Sequence, residues 1–406
     1  MSKPEMSATP DPSTHGISST NFARAFVLLA LISGITIGMN KIQVTLLALQ
    51  LNAEPWQIGV LIGAESLSMM LMSLPAGVLI SRFSARRVYA VASIGAMLLY
   101  PLIAYAANWV IAALFLCIAG ICIPFRVVSM NTSWFERLPE IGISRGGWYR
   151  GTLTLGIGLL GPLLGSMTSQ HFGIQGSYLF TSALFGLMSV YGFVILSRKR
   201  TDGANIKSRQ GFRDMLKYLQ DATVRQACLY DGLGGLVRGF FSTFIIVMVV
   251  RQFHWGIQSG VTLMVVEGAT YVIALLTLGA IVPRLGDHLT YNIGHASLVA
   301  GLLVLGTGSS MVGLMAGALL QALGQALNHL VNVSRLAHSG HNMGHVSGLF
   351  TMIGMGGGFF GATLGGLLSK GFVLQDIFLI WIPVWLSICP GFRQFIRSIV
   401  PVSANH

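Results

Sequence analysis

The stretch Gly77-Val-Leu-Ile-Ser81-Arg82-Phe-Ser84-Ala-Arg86-Arg87 is answered further along the chain by Gly279-Ala-Ile-Val-Pro283-Arg284-Leu-Gly286-Asp287. Gly77 and Gly279, Arg82 and Arg284, and the apolar-flanked acids Glu65 and Glu267 all stand 202 positions apart. A second series follows at an offset of 200: Gly156 and Gly356, Gly158 and Gly358, Gly161 and Gly361, Gly165 and Gly365. The chain reads as one apolar half written twice.

Its medium follows from composition. Of 406 residues, 53% are hydrophobic and only 9% charged, whereas a water-soluble domain carries roughly 25% charged residues. Twelve apolar runs, near 23–46, 56–80, 87–107, 109–131, 150–172, 176–197, 225–250, 258–282, 289–307, 309–334, 345–369 and 374–394, have about the length a bilayer-spanning helix needs. The expected fold is an all-α membrane protein with twelve transmembrane helices in two pseudo-symmetric six-helix bundles, 23–197 and 225–395. A polar tail, 1–22, precedes them, and a second tail, 396–406, follows. The linker 198–224 holds Phe212, Met215, Leu216 and Leu219 at helical spacing among charges, which predicts an amphipathic helix on the membrane face.

The net charge of +12 is a topology signal and not a nucleic-acid footprint. Arg82, Arg86, Arg87, Arg137, Arg145, Arg150, the eight basic residues from Arg198 to Arg225, Arg284, Arg335, Arg393 and Arg397 all fall on one side, and only Arg251 and Lys370 on the other. Basic loops stay in the cytoplasm. An inner-membrane location with both termini cytoplasmic is expected, with membrane lipid as the neighbour. Trp56, Trp109 and Trp255 mark the opposite interface. The four cysteines fall in or beside apolar runs and read as free thiols.

The quoted loop resembles the signature loop of the major facilitator superfamily, Gly-x-Leu-x-Asp-Arg-x-Gly-Arg-Arg, and the Gly279–Asp287 copy is similar to that family's weaker echo. Ser81 stands where the family has an acid and Ser84 where it has a second glycine. The resemblance implies a gating loop made of Gly77, Arg82, Arg86 and Arg87, with Gly279 and Arg284 in the second half. It also implies alternating access of one central site to either membrane face. In the fifth run, Gly156, Gly158, Gly161-Pro162 and Gly165 resemble the glycine-proline helix of proton-coupled antiporters in that superfamily. The eleventh repeats Gly356, Gly358, Gly361 and Gly365 without the proline. Small residues of this kind also serve plain helix packing.

Ionisable groups inside the runs are costly and mark a polar interior. Glu65, Asp231 and Glu267 are candidates for proton coupling, and Lys41, Arg126 and Arg238 for substrate counter-charge or ion pairing. Lys41 and Glu65 lie equally far from the first outer turn, Arg238 and Glu267 at similar depth, and Asp231 seven residues from Arg238 on a shared face. Gln321, Gln325, Asn328 and Asn332 share one face of the tenth run, which is expected to line the cavity or bond a neighbouring helix; Asn328 is the 202-offset counterpart of Arg126. Asn40, Gln43 and Asn131 add polar atoms to the cavity, and His329 is expected as a packing histidine.

Gly142-Ile-Ser144-Arg-Gly146 matches a hydrolase elbow only by letters. His338, His341 and His345 sit on a glycine-rich loop, and no metal or cofactor is expected. No phosphate-cradling loop is present, which argues against an ATP-driven pump. The expected function is a monomeric secondary transporter of a small-molecule substrate coupled to protons or another ion. Efflux of an amphiphilic or drug-like compound comes first, and proton symport of an anionic or metal-chelating metabolite second. A transport-inactive receptor or scaffold is the alternative of another class, and an enzyme is not expected.

Overall fold

The computed structural model describes residues 19–141, 148–196, 217–279, 281–337 and 343–387, and no strand occurs among them. The first half contains α1 (Ser19–Gln50), α2 (Pro55–Phe83), α3 (Ala85–Ala104) and α4 (Trp109–Ile141). Next come Trp148–Leu155, a π-helical turn at Gly156–Leu160, and Gly161–Ile195. The last of these breaks at Gly173 (φ 70°, ψ 175°), which divides the stretch into α5 (148–172) and α6 (174–195). The second half contains α7 (Ala222–Arg251), α8 (Ile257–Leu278), α9 (Asp287–Thr307), α10 (Met311–Ala337), α11 (Met343–Leu368) and α12 (Leu374–Leu386). Order and placement follow the expected spans. The predicted amphipathic helix, the hydrolase-like letters and His338 and His341 lie outside the described residues, apart from Leu219. That residue sits in a 3-10 turn, Tyr218–Gln220, ahead of α7.

The duplication is visible in which helices touch. α1 packs on α5 and α6, and α7 packs on α11; α3 packs on α4, and α9 on α10. The halves meet along α2 with α11 and α5 with α8, two seams that exchange under the repeat. In the α1–α5 seam, Gly156 and Gly161 lie against the backbone of Gly34 and Gly38, and Gly165 against Met39. In the α7–α11 seam, added methyls on Gly357 and Gly361 would strike the Gly232 and Leu236 carbonyls. Close backbone approach of this kind is what small residues permit in a bilayer. The expected packing glycines need one correction. Gly356 faces Met70 of α2, whereas Gly358 meets α7 through its backbone, which a methyl on Gly239 would strike, although its own missing side chain would point into open space; the α7-facing row thus runs through Gly354, Gly357, Gly358, Gly361 and Gly365.

The two gating-loop copies also share a bend. Ser84 between α2 and α3 has φ 74° and ψ 146°, and Gly286, 202 residues later, has φ 78° and ψ 158°. That region of backbone space suits glycine almost alone. Ser84 is buried and carries a Cβ where its twin has none. Ser84→Gly is therefore expected to stabilise the protein by about 1 kcal/mol, the lower end of the cost of such a conformation. Gly286→Ser should destabilise it by a comparable amount. Thermal unfolding in one detergent reads both, and equal midpoints for Ser84→Gly and the parent chain would contradict the strain.

Candidate functional site

Between the halves lies a cavity of two lobes, about 210 Å³ and 350 Å³, which share Lys41, Gly235, Arg238, Gly354 and Met355. The smaller lobe is walled by Asn40, Glu65, Ser66, Ser242 and Thr243, among others. The larger reaches Asp231, Glu267, Tyr271, Gln325, Asn328 and Trp385. Contacts between the halves close the end away from the basic loops. There Arg251 donates to the Ala53 carbonyl at 2.6 Å, Ser166 to Gln258 Oε1 at 3.1 Å, and Lys370 sits 4.3 Å over the Trp56 ring.

Lys41 stands where the lobes join, in the electrostatic field of Glu267, Arg238 and Glu65. The expected direct pair with Glu65 does not form. Glu65, 8% exposed, accepts from Asn40 Nδ2 at 2.7 Å instead. Equal distance from the outer turn gives Lys41 and Glu65 the same height but does not set the helical face, and Asn40 is the residue turned toward α2. Arg238 Nε stands 3.9 Å from Glu267 Oε1 and donates to Gln325 Oε1 at 2.8 Å, with its guanidinium 4.1 Å over the Tyr271 ring. Asp231 does not meet Arg238. Its Oδ1 lies 3.1 Å from His329 Nδ1, so His329 faces a carboxylate in the cavity wall and is not simply packing.

One further expectation is corrected, and the amide face of α10 meets its own mainly by bonding a neighbouring helix. Arg126 lines neither lobe. It is 1% exposed, with Nη2 donating to Ser33 Oγ at 3.0 Å and the guanidinium 4.5 Å over Phe185 and 5.7 Å over Tyr89. Among the described residues no carboxylate lies within ion-pair distance, and π faces hold the charge. The amide face of α10 turns mostly to α9. Asn332 accepts from the Tyr291 hydroxyl at 2.6 Å, Asn328 Nδ2 meets His295 Nδ1 at 3.3 Å, and the buried Gln321 amide has no hydrogen-bond partner among the described residues. Only Gln325 and Asn328 reach the cavity. Gln43 bonds Ser177 and Thr181 of α6, and Asn131 lines neither lobe.

The Arg126 surroundings repeat in the second half. Tyr89, Ser93, Arg126 and Phe185 correspond to Tyr291, His295, Asn328 and Trp385, at offsets of 202, 202, 202 and 200. His295 Nδ1 takes Trp385 Nε1–H at 3.1 Å as well as the Asn328 amide, and stacks on Tyr291. Each half thus buries one basic group among aromatics behind the cavity wall, on α4 in the first half and on α9 in the second. His295 was not anticipated, although the offset applied to the neighbours of Arg126 points to it.

At the gating loop, Arg82 and Arg87 are exposed and the Arg86 guanidinium lies 3.7 Å over Phe193. In the second copy Arg284 is exposed, and Asp287 stands 3.9 Å from Arg335.

The Arg238–Glu267 contact carries a stability consequence. Removing one member leaves the other partly buried without its partner. Glu267→Gln and Arg238→Gln should each lower the unfolding midpoint, and the double variant should recover part of the loss, with a coupling of about 0.5–3 kcal/mol. Strict additivity in the double-mutant cycle would show that the contact contributes nothing.

The sequence model of the Major Facilitator Superfamily matches residues 26–388, and no curated protein matches the chain. The fold is similar to a mutant form of the nucleoside transporter NupG, with 14% identity, TM-score 0.77, and coverage of 92% of this chain and 99% of that one. It is also similar to a bacterial homologue of the human lysosomal transporter Spinster, in an inward-facing and unoccupied conformation. There the identity is 13%, the TM-score 0.69, and the coverage 94% and 93%. The human organic anion transporter MFSD10 follows at 17% identity, TM-score 0.65, and coverage of 90% and 98%. The chain therefore belongs to the Major Facilitator Superfamily, as a multi-pass membrane transporter and not an enzyme.

Proposed function

We propose that the chain is a proton-coupled carrier of a small polar solute bearing an anionic group. Glu65 and Glu267 would be its proton-exchanging acids, and Lys41 and Arg238 the cations that receive the solute. What carries this reading is the placement of Lys41, from the first half, at the junction of both lobes, in the field of one acid from each half. An anionic ligand at Lys41 and Arg238 competes with Glu267 for the same charges. A displaced carboxylate in a low-dielectric site takes up a proton more readily, so solute and proton binding are linked. That linkage can shift the balance between two packings of the halves. On the rule that basic loops face the cytoplasm, the cavity would be open inward and its sealed end would face outward.

The charged wall fits such a solute better than the drug-like amphiphile expected first. Export in exchange for protons retains one supporting observation. The Gly161–Pro162 pair directly follows the π-helical turn of α5, and that turn places Gly158 against Gly268, next to Glu267. A change in the α5–α8 seam would therefore reach the acid directly.

The test begins with a thermal-shift screen of the purified protein against acidic, neutral and basic solutes. Stabilising compounds are expected among the acids, with affinity reduced about tenfold or more in Lys41→Gln and Arg238→Gln, the weight of one charge-assisted contact. In proteoliposomes, Glu65→Gln or Glu267→Gln should abolish accumulation driven by a pH gradient while leaving solute exchange intact. Binders that are exclusively basic or neutral, indifferent to both cation variants, would overturn the anionic reading. Gradient-driven accumulation that survives both acid variants would overturn the coupling.

A further inference from the structure

The outer surface of the first half holds a second cavity, separate from the central one. It has a volume of about 490 Å³ and is lined by Leu79 and Phe83 of α2, Arg87, Val88, Val91, Ala92 and Gly95 of α3, and Cys122 and Phe125 of α4. Its origin is the bend at Ser84. α2 and α3 part there, and each then packs on α4, leaving a crevice with α4 as its floor. Gly95 deepens it, because a side chain there would press on Cys122 Sγ. From Arg87 to Gly95 the crevice runs about 12 Å, at 1.5 Å of rise per helical residue, comparable with much of one leaflet's half of the ~30 Å hydrocarbon core. Phe83 and Val91 at its rim are 49% and 69% exposed.

The charge at its mouth is one-sided. Arg87 lines it and is exposed, and Arg82, the neighbour of Phe83 in the chain, is exposed as well. Among the described residues, neither has a carboxylate within ion-pair distance. An apolar slot of leaflet depth, with an arginine lacking an ion-pair partner at its end on the basic side of the membrane, fits one chemical class of occupant.

We propose that this crevice is a binding site for an anionic glycerophospholipid. An acyl chain lies along Val88, Val91 and Gly95, and the headgroup phosphate is held by Arg87 with Arg82 beside it. Juxtamembrane arginines each contribute about 1 kcal/mol toward an anionic leaflet, and a phosphate matches the planar guanidinium donors. The bound phosphate supplies the loop with negative charge beside Arg87, and it braces the α2–α3 bend in this packing.

The test is native mass spectrometry of the detergent-purified protein offered phosphatidylglycerol and phosphatidylcholine of equal chain length. One retained phosphatidylglycerol per chain is expected, with phosphatidylcholine retained weakly. Arg87→Gln should reduce the preference for the anionic lipid about fivefold, the equivalent of about 1 kcal/mol. Val91→Trp, which fills the slot, should remove retention of both lipids, and Leu79→Trp on the opposite wall repeats that arm without altering α3. Unfolding midpoints without added lipid identify which variants are folded. Equal retention of the two lipids would overturn the charge reading. Unchanged phosphatidylglycerol retention in either folded tryptophan variant, as ordinary annular lipid would give, would overturn the site.

Discussion

An ionised group inside a membrane protein must meet opposite charge, hydrogen bonds or a polarisable ring, because the surrounding hydrocarbon offers none of these. The arrangement around Lys41 follows from that constraint. Its ammonium comes from the first half, and the two carboxylates in its field come from Glu65 of the same half and Glu267 of the other. Arg238 adds a second cation, steadied by Gln325 and the Tyr271 ring. No partner in this set is exclusive, so under the proposed function a ligand or a proton that satisfied one group would release another.

The frame that holds this set is the duplicated half. Seams α1–α5 and α7–α11 lock each half internally through backbone approach at glycines, while α2–α11 and α5–α8 join the halves. The joining seams also bring main chain against main chain, at Gly59 with Gly366 and at Gly158 with Gly268, and meet elsewhere through side chains such as Thr363, Met70 and Met355. A rocking motion about a central site requires these joining contacts to re-form while each half moves as a unit.

How far the sequence can be read depended on the kind of signal. Helix count and order followed from apolar length alone, and the repeat offset carried the pairing of Glu65 with Glu267. Depth along a helix could be reckoned by counting from a turn, so the Arg238–Glu267 proximity was within reach. Helical face was harder. Asn40 and not Lys41 meets Glu65, because a rotation of one residue changes the neighbour completely, whereas Asp231 and Arg238 do share the face that lines the larger lobe, with Asp231 bonded to His329. Arg126 misled for a different reason. Burial against Phe185 and Tyr89 joins side chains 59 and 37 residues away, and nothing local marks such a contact. The copied positions 291, 295 and 385 were the available clue.

The most direct measurement asks whether the charged cavity opens to one membrane face at a time. Gly358→Cys places a thiol where the structure has open space beside the smaller lobe, once the four native cysteines are replaced. In sealed vesicles of known orientation, an impermeant maleimide should label it from the basic-loop side. Bridging Ser166→Cys to Gln258→Cys with a short bifunctional thiol reagent, across the sealed end, should preserve that labelling and stop solute flux. Labelling from both sides at once, or flux that continues through the bridged protein, would contradict a cavity enclosed by two rocking halves.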